Sequence, residues 1–155
     1  MNDRLTAGSH PPARTDLAPP SAPGEDWLGI LGQPTQDAFA SAFVAEPRLE
    51  AVVIFDPVVG ADAIHRFFEA ARSLYSHIGF TSEIRSADRV YLEWEGLFAG
   101  RPVSGATIIS FDQNGRIERI RLYHYPLDQL AAFSTAIHCS LAGLGPSHKP
   151  LTLLP

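Results

Sequence analysis

The stretch Val103-Ser104-Gly105-Ala106-Thr107-Ile108-Ile109-Ser110-Phe111, Asp112-Gln113-Asn114-Gly115-Arg116, Ile117-Glu118-Arg119-Ile120-Arg121-Leu122-Tyr123-His124-Tyr125 decides the fold. Two runs rich in β-branched and aromatic residues flank an Asn-Gly turn, the strongest short-range signature of a β-hairpin. Two further strand candidates precede it, Phe80 to Ala87 and Arg89 to Phe98, the latter joined to Val103 through a turn at Ala99-Gly100-Arg101-Pro102. Four strands in series form a meander, whose consecutive members pair antiparallel.

Upstream of the meander lies the clearest helix. Ile64, Phe67, Phe68, Ala71, Leu74, Tyr75 and Ile78 recur at helical spacing, and His65, Arg66, Glu69, Arg72 and Ser76 take the opposite face. Before it, Val52-Val53-Ile54 within Leu49 to Phe55 reads as a strand ended by Asp56-Pro57. Asp26 to Leu31 and Gln36 to Phe43 read as short helices broken by Pro34. Leu127 to Leu144 carries Leu127, Leu130, Ile137, Leu141 and Leu144 at helical spacing. Helices followed by a meander are an α+β order, distinct from the βαβ alternation of a parallel sheet.

The chain of 155 residues is 45% apolar, enough for one domain with a core. Residues 1–24 hold Pro11, Pro12, Pro19, Pro20 and Pro23 with no aromatic residue, which predicts a disordered tail; residues 25–144 form the domain and 145–155 a second tail. Twelve basic against seventeen acidic residues give a formal charge of −5, which argues against nucleic acid or anionic membranes as partners. A lone cysteine, Cys139, offers neither an internal disulfide nor a multi-cysteine metal site. With no secretory leader or ~20-residue apolar run visible, the expectation is a cytoplasmic protein.

The pattern resembles the NTF2-like superfamily, in particular its ketosteroid isomerase and SnoaL-like group. The residues that carry the resemblance are Phe43-Val44-Ala45-Glu46, Val59-Gly60-Ala61-Asp62-Ala63-Ile64 with Phe67-Phe68, Phe80-Thr81-Ser82-Glu83-Ile84-Arg85, and Val103-Ser104-Gly105 through Ile109-Ser110-Phe111-Asp112 with Gly115-Arg116-Ile117. The likeness spans roughly residues 25 to 130. It implies a cone, in which a curved mixed or antiparallel sheet wraps a long helix around an apolar pocket, and a homodimer formed through the outer face of the sheet. One fold of this kind hosts isomerases, dehydratases, cyclases and binding modules, so the chemistry rests on the site.

Steroid isomerisation needs a carboxylate base and an oxyanion hole of tyrosine and a protonated acid. Ungapped counting puts Trp27, Ala51 and Thr107 at those three positions, so true steroid isomerase activity is not expected. In a second register, Asp56-Pro57-Val58 matches the Asp-Pro-Val segment that carries the base in relatives, given a shortened hairpin. With Thr107 on the inner face, alternation turns Gly105, Ile109 and Phe111 inward, with Leu92, Trp94, Ile120, Leu122 and His124. Glu93, Glu95, Ile108, Ser110, Arg119, Arg121, Tyr123 and Tyr125 go outward.

His124, at the cone mouth, is a candidate general acid/base, since an imidazole titrates near neutrality. Asp56 is the second acid/base candidate. Trp27, Phe67, Ala71, Tyr75, Leu92, Trp94, Thr107, Ile109 and Leu122 are expected to line the pocket, with Thr107 or Tyr75 donating to a substrate carbonyl. Other pairs read as structural: Glu93 with Glu95 on a solvated strand face, His65 with Glu69 lacking a third metal ligand, His77 as a helix C-terminal cap, and His138-Cys139 without an acid neighbour. No glycine loop follows a strand, so nucleotide cofactors are not expected. The expected function is cofactor-independent and metal-free. It is either proton-transfer chemistry (isomerisation, cyclisation or dehydration) on a small apolar or polycyclic molecule, or non-catalytic ligand binding or homodimeric interaction on the same scaffold.

Overall fold

A computed structural model of the chain describes residues 21–142; residues 1–20 of the first expected tail, the whole of the second, 145–155, and the end of the last expected helix at 143–144 lie outside the described residues. The elements are α1 (Glu25–Leu31), α2 (Gln36–Ala40), β1 (Phe43–Ala51), β2 (Val58–Val59), α3 (Ala61–Leu74), β3 (Tyr75–Arg85), β4 (Arg89–Phe98), β5 (Arg101–Phe111), β6 (Ile117–Tyr125) and α4 (Leu127–Leu141). One curved, unclosed sheet runs β2-β1-β6-β5-β4-β3. β1 lies parallel to β6, and every other pairing is antiparallel.

The meander follows its pattern. Along β4, buried and exposed residues alternate without a break, which puts Leu92, Trp94 and Phe98 inside and Glu93 and Glu95 outside. Two hairpins close as their residues require. Ala99 and Gly100 both take positive φ, 49° and 74°, the twist that suits a two-residue connection. Gly115 sits at φ 76° in the second turn, where the Asp112 carboxylate accepts from the N–H groups of Asn114 and Arg116. On the concave side, Ile64, Phe67 and Ala71 of α3 pack with Leu49, Leu92, Ile109, Ile117 and Ile120 of the sheet in one core. α4 packs along α3 and against β6 through Leu130, Phe133, Ile137 and Leu141.

Three expected boundaries move. The helix through Ile78 ends at Leu74, and Tyr75 opens β3 by pairing with Phe98. Tyr75 and Ile78 fit both a helical stripe and a strand, and strand hydrogen bonds to β4 decide it. His77 is therefore a strand residue and not a helix cap. The strand expected at Leu49 to Phe55 is instead Phe43–Ala51, since its parallel pairing to β6 runs from Phe43↔Ile117 to Ala51↔Leu122. The β-branched Val53 is fully buried in the following loop, where its carbonyl accepts from the Ser134 hydroxyl at 2.6 Å, so its apolarity serves packing of α4 rather than a sheet. The second helix is shorter than expected, because Phe43 is already in β1.

Arg119 and Arg121 do lie outside, and their ion-pair partner is Glu50 on the neighbouring β1, at 3.9 and 2.8 Å. Those guanidinium groups, led by the Arg121 hydrogen bond, hold the Glu50 carboxyl below its ordinary range. Residues 21–24 belong with the domain: Gly24 is buried beside Phe80, and its N–H donates to Glu83 at 2.7 Å.

Candidate functional site

Trp94, Gly105 and His124 stand in one cross-strand row, Trp94 opposite Gly105 and Gly105 opposite His124. A Cβ at Gly105 would collide with the Trp94 ring and the Tyr123 carbonyl. The missing side chain lets the rings on either side close over it, and Trp94 meets His124 edge to face with centroids 4.9 Å apart.

Tyr75, at the junction of α3 and β3, brings its hydroxyl to 2.5 Å from His124 Nε2. The two rings are almost coplanar, 10° apart, and make a joined plate. Phe133 of α4 lies across that plate, its centroid 5.0 Å from Tyr75 and 4.9 Å from His124, and Phe98 abuts Phe133 edge-on at 5.2 Å. His124 Nδ1 is buried and has no hydrogen-bond partner. Whichever way the shared hydrogen points, Nδ1 is the end left over: a donor when the phenol donates, an acceptor when the imidazole does.

Burial disfavours charge on both groups. It pushes His124 from 6.5 down to about 4, so the imidazole is neutral at physiological pH. It pushes the Tyr75 phenol well above its usual value. The pair is thus a neutral hydrogen-bonded unit held in aromatic surroundings, able to donate or accept a proton at its free end without leaving a fixed charge behind.

The other expected site residues fall into three places. Trp27, Leu92 and Ile109 line a cleft of 220 Å³ between α1 and the sheet, together with Val90, Phe111 and Ile117. Its rim is polar: Arg85 bridges Asp26 at 2.6 Å and also pairs with Glu83. Phe67, Ala71, Thr107 and Leu122 are buried in the core. Asp56 is exposed in the loop between β1 and β2 and does not join His124. That exposure sets Asp56 apart from the buried Tyr75–His124 pair. Trp27, Ala51 and Thr107, the three positions counted against steroid isomerase chemistry, are all buried, and none carries a carboxylate or phenol.

Phe133, Phe98 and Gly105 were not anticipated as site residues. Phe133 was legible in principle, since Leu130, Phe133, Ile137 and Leu141 form the buried stripe of α4. The significance of Gly105 depends on the Trp94–Gly105–His124 register, which only the paired sheet reveals.

Among the described residues, no helix is long and apolar enough to cross a membrane. No family profile and no curated protein matches the sequence. Solved structures do match. A steroid delta-isomerase from Pseudomonas aeruginosa superposes with a TM-score of 0.67 at 19% identity, over 77% of this chain and 88% of that one. A cystatin-like fold protein from Silicibacter pomeroyi gives 0.66 at 11%, over 74% and 81%. A protein assigned to the SnoaL-like polyketide cyclases, from a Jannaschia species, gives 0.53 at 13%, over 68% and 82%. The curved sheet, the apolar face of α3 packed against it and these superpositions agree that the chain has an NTF2-like cone fold, as ketosteroid isomerase-like and SnoaL-like proteins do.

Proposed function

We propose that the protein handles a small, largely apolar molecule at the C-terminal end of β6 by isomerase- or cyclase-type proton transfer, without a cofactor. The observation that carries this reading is the Tyr75–His124 pair, hydrogen-bonded at Nε2 and unpartnered at a buried Nδ1. In the tautomer with hydrogen on Nε2, a substrate C–H proton passes to Nδ1. The Nε2 hydrogen passes to the Tyr75 oxygen, and the phenol hydrogen passes to the substrate carbonyl. Ketone becomes enol, the imidazole exchanges tautomers, and no net charge forms, which suits a site where burial opposes charge. The reverse transfer at a different carbon completes an isomerisation. Structural likeness to a steroid delta-isomerase and to a SnoaL-like cyclase supports the reaction kind.

2-Tetralone, an enolisable bicyclic ketone, is a suitable probe. In D2O the protein should speed α-deuteration, and His124→Gln should lower that rate by ~10²-fold. An unchanged rate in His124→Gln would remove the proton-handling role.

The second reading, a binding or homodimeric interaction module, is favoured by one observation: among the groups lying inside the cone near His124, neither of the titratable pair is ionised at neutral pH. Tight binding of 2-tetralone without deuteration would select it.

A further inference from the structure

We propose that the outer face of the sheet, where β1 meets β6, docks a short acidic segment of a partner protein, with Arg48, Arg119 and Arg121 as the recognising groups. This surface is separate from the Tyr75–His124 pair, and the inference does not depend on the chemistry proposed there.

Strand alternation assembles the cluster. Leu49, Ala51, Ile120 and Leu122 are buried, so Arg48, Glu50, Arg119 and Arg121 share the outer face. The parallel register sets Arg48 beside Arg119 and Glu50 beside Arg121. Neighbouring strands lie ~4.8 Å apart, so Arg48 and Arg119 put like charges on adjacent backbones. Among the described residues a single carboxylate answers all three arginines. It is Glu50, 2.8 Å from Arg121 and 3.9 Å from Arg119. All three guanidinium groups, led by the Arg121 hydrogen bond, act on that carboxyl and hold it below its ordinary range. Arg48 has no ion-pair partner among the described residues, and Glu46 and Glu118, close by in sequence, pair with none of the three. Three cations against one anion leave a local positive excess on a chain whose formal charge is −5. An incoming carboxylate would take paired N–H donors from a guanidinium and relieve the repulsion between Arg48 and Arg119.

The charge around the cluster selects the occupant. A nucleic acid duplex or an anionic bilayer would lay extended negative charge over a chain that is acidic overall, and over Glu93 and Glu95 on the same outer face. A short acidic segment avoids that repulsion. Alternate residues of an extended chain stand ~7 Å apart on one side, which is also the spacing of Arg119 and Arg121 along β6. Val59, half exposed and opposite Arg48 on β2, adds an apolar contact at the sheet edge. The cluster sits toward that edge, across the sheet from Ile84 of β3 and from Tyr91 and Leu97 of β4.

The test is fluorescence anisotropy of labelled hexaglutamate on the full chain, with hexaglutamine as the uncharged control. Hexaglutamate should bind at ~20 mM salt and weaken about tenfold by ~150 mM, as exposed charge pairs do. Replacing Arg48 and Arg119 together by Gln should weaken binding by about tenfold. Glu50→Gln, which removes the internal competitor, should instead strengthen it by about threefold. Should the Gln pair fail to fold, Arg48→Lys with Arg119→Lys keeps the charge, loses the paired donors and should fall between natural chain and Gln pair. Equal binding of hexaglutamine, no binding of hexaglutamate at low salt, or unchanged affinity in the arginine variants or in Glu50→Gln would overturn the docking point. Tighter binding of inorganic tripolyphosphate than of hexaglutamate would assign the cluster to phosphate. Sedimentation showing that hexaglutamate dissociates a paired chain would assign it to a second copy. Either result removes the acidic segment.

Discussion

Tyr75 and His124, 49 residues apart in sequence, meet at 2.5 Å between the phenol oxygen and Nε2. The junction where α3 becomes β3 makes this possible. Had the helix continued to Ile78, as its apolar spacing suggested, Tyr75 would have remained on a helical stripe. The change to strand at Tyr75 turns its ring toward β6 and gives the imidazole its neighbour.

That neighbour is held in place by Gly105. Gly105→Ala should destabilise the fold by about 1–3 kcal/mol, since the new methyl meets backbone as well as the Trp94 ring and the sheet must shift to admit it. Thermal melts would measure the loss, and a shift in tryptophan emission would report that the indole had moved. An unperturbed melt and spectrum would mean that the row has slack.

Trp94 is 4% exposed, and its replacement leaves a cavity in the core. Trp94→Ala should cost ~3–5 kcal/mol in denaturant unfolding. Glu93→Ala, one residue away on the exposed face, should stay within about 0.5 kcal/mol. The opposite ranking would mean that the register of β4 is shifted by one.

Stability should fall with acid through His124. Its folded value lies near 4 and its unfolded value at 6.5, so between those pH values the unfolded chain binds a proton that the folded chain refuses. The loss begins as pH drops through 6.5 and is complete near 4, where it reaches about 3 kcal/mol. His124→Gln should remove this component from the stability–pH curve; the same slope in both proteins would place the titration elsewhere.

Residues 21–24 refine the expectation that everything before residue 25 is a disordered tail. Because the Gly24 N–H donates to the part-buried Glu83, a chain begun at Glu25 should lose about 1 kcal/mol relative to one begun at Ser21. Equal melting temperatures would show that this contact contributes nothing.

The outer face of the sheet exposes Ile84, Tyr91, Leu97, Tyr123 and Tyr125. Pairing through this face predicts a sedimenting species of twice 16.8 kDa at micromolar concentration, weakened by Tyr123→Glu. A monomer under those conditions would discard the expected homodimer.

Much of the architecture was legible because the β4–β6 meander alternates cleanly and its turns carry the residues their φ values need. The Val52-Val53-Ile54 run misled because burial in a loop and burial in a strand demand the same apolar residues. Within the site, His124 and Tyr75 could be found separately, by alternation and by helical spacing, but their contact required the tertiary fold. Asp56 was suggested by a local motif, which carries no information on which way the loop faces. Phe133 escaped because a helix stripe says what is buried and not which ring it covers.

At neutral pH His124 is an uncharged imidazole, tied at Nε2 to Tyr75 and without a partner at Nδ1. Nitrogen-15 NMR of the histidine rings reads this directly. His124 should show one protonated and one unprotonated nitrogen from pH 8 to about 5, with the Nδ1 signal moving when 2-tetralone is added. Two protonated nitrogens at pH 6, or a ring that ignores saturating 2-tetralone, would contradict it.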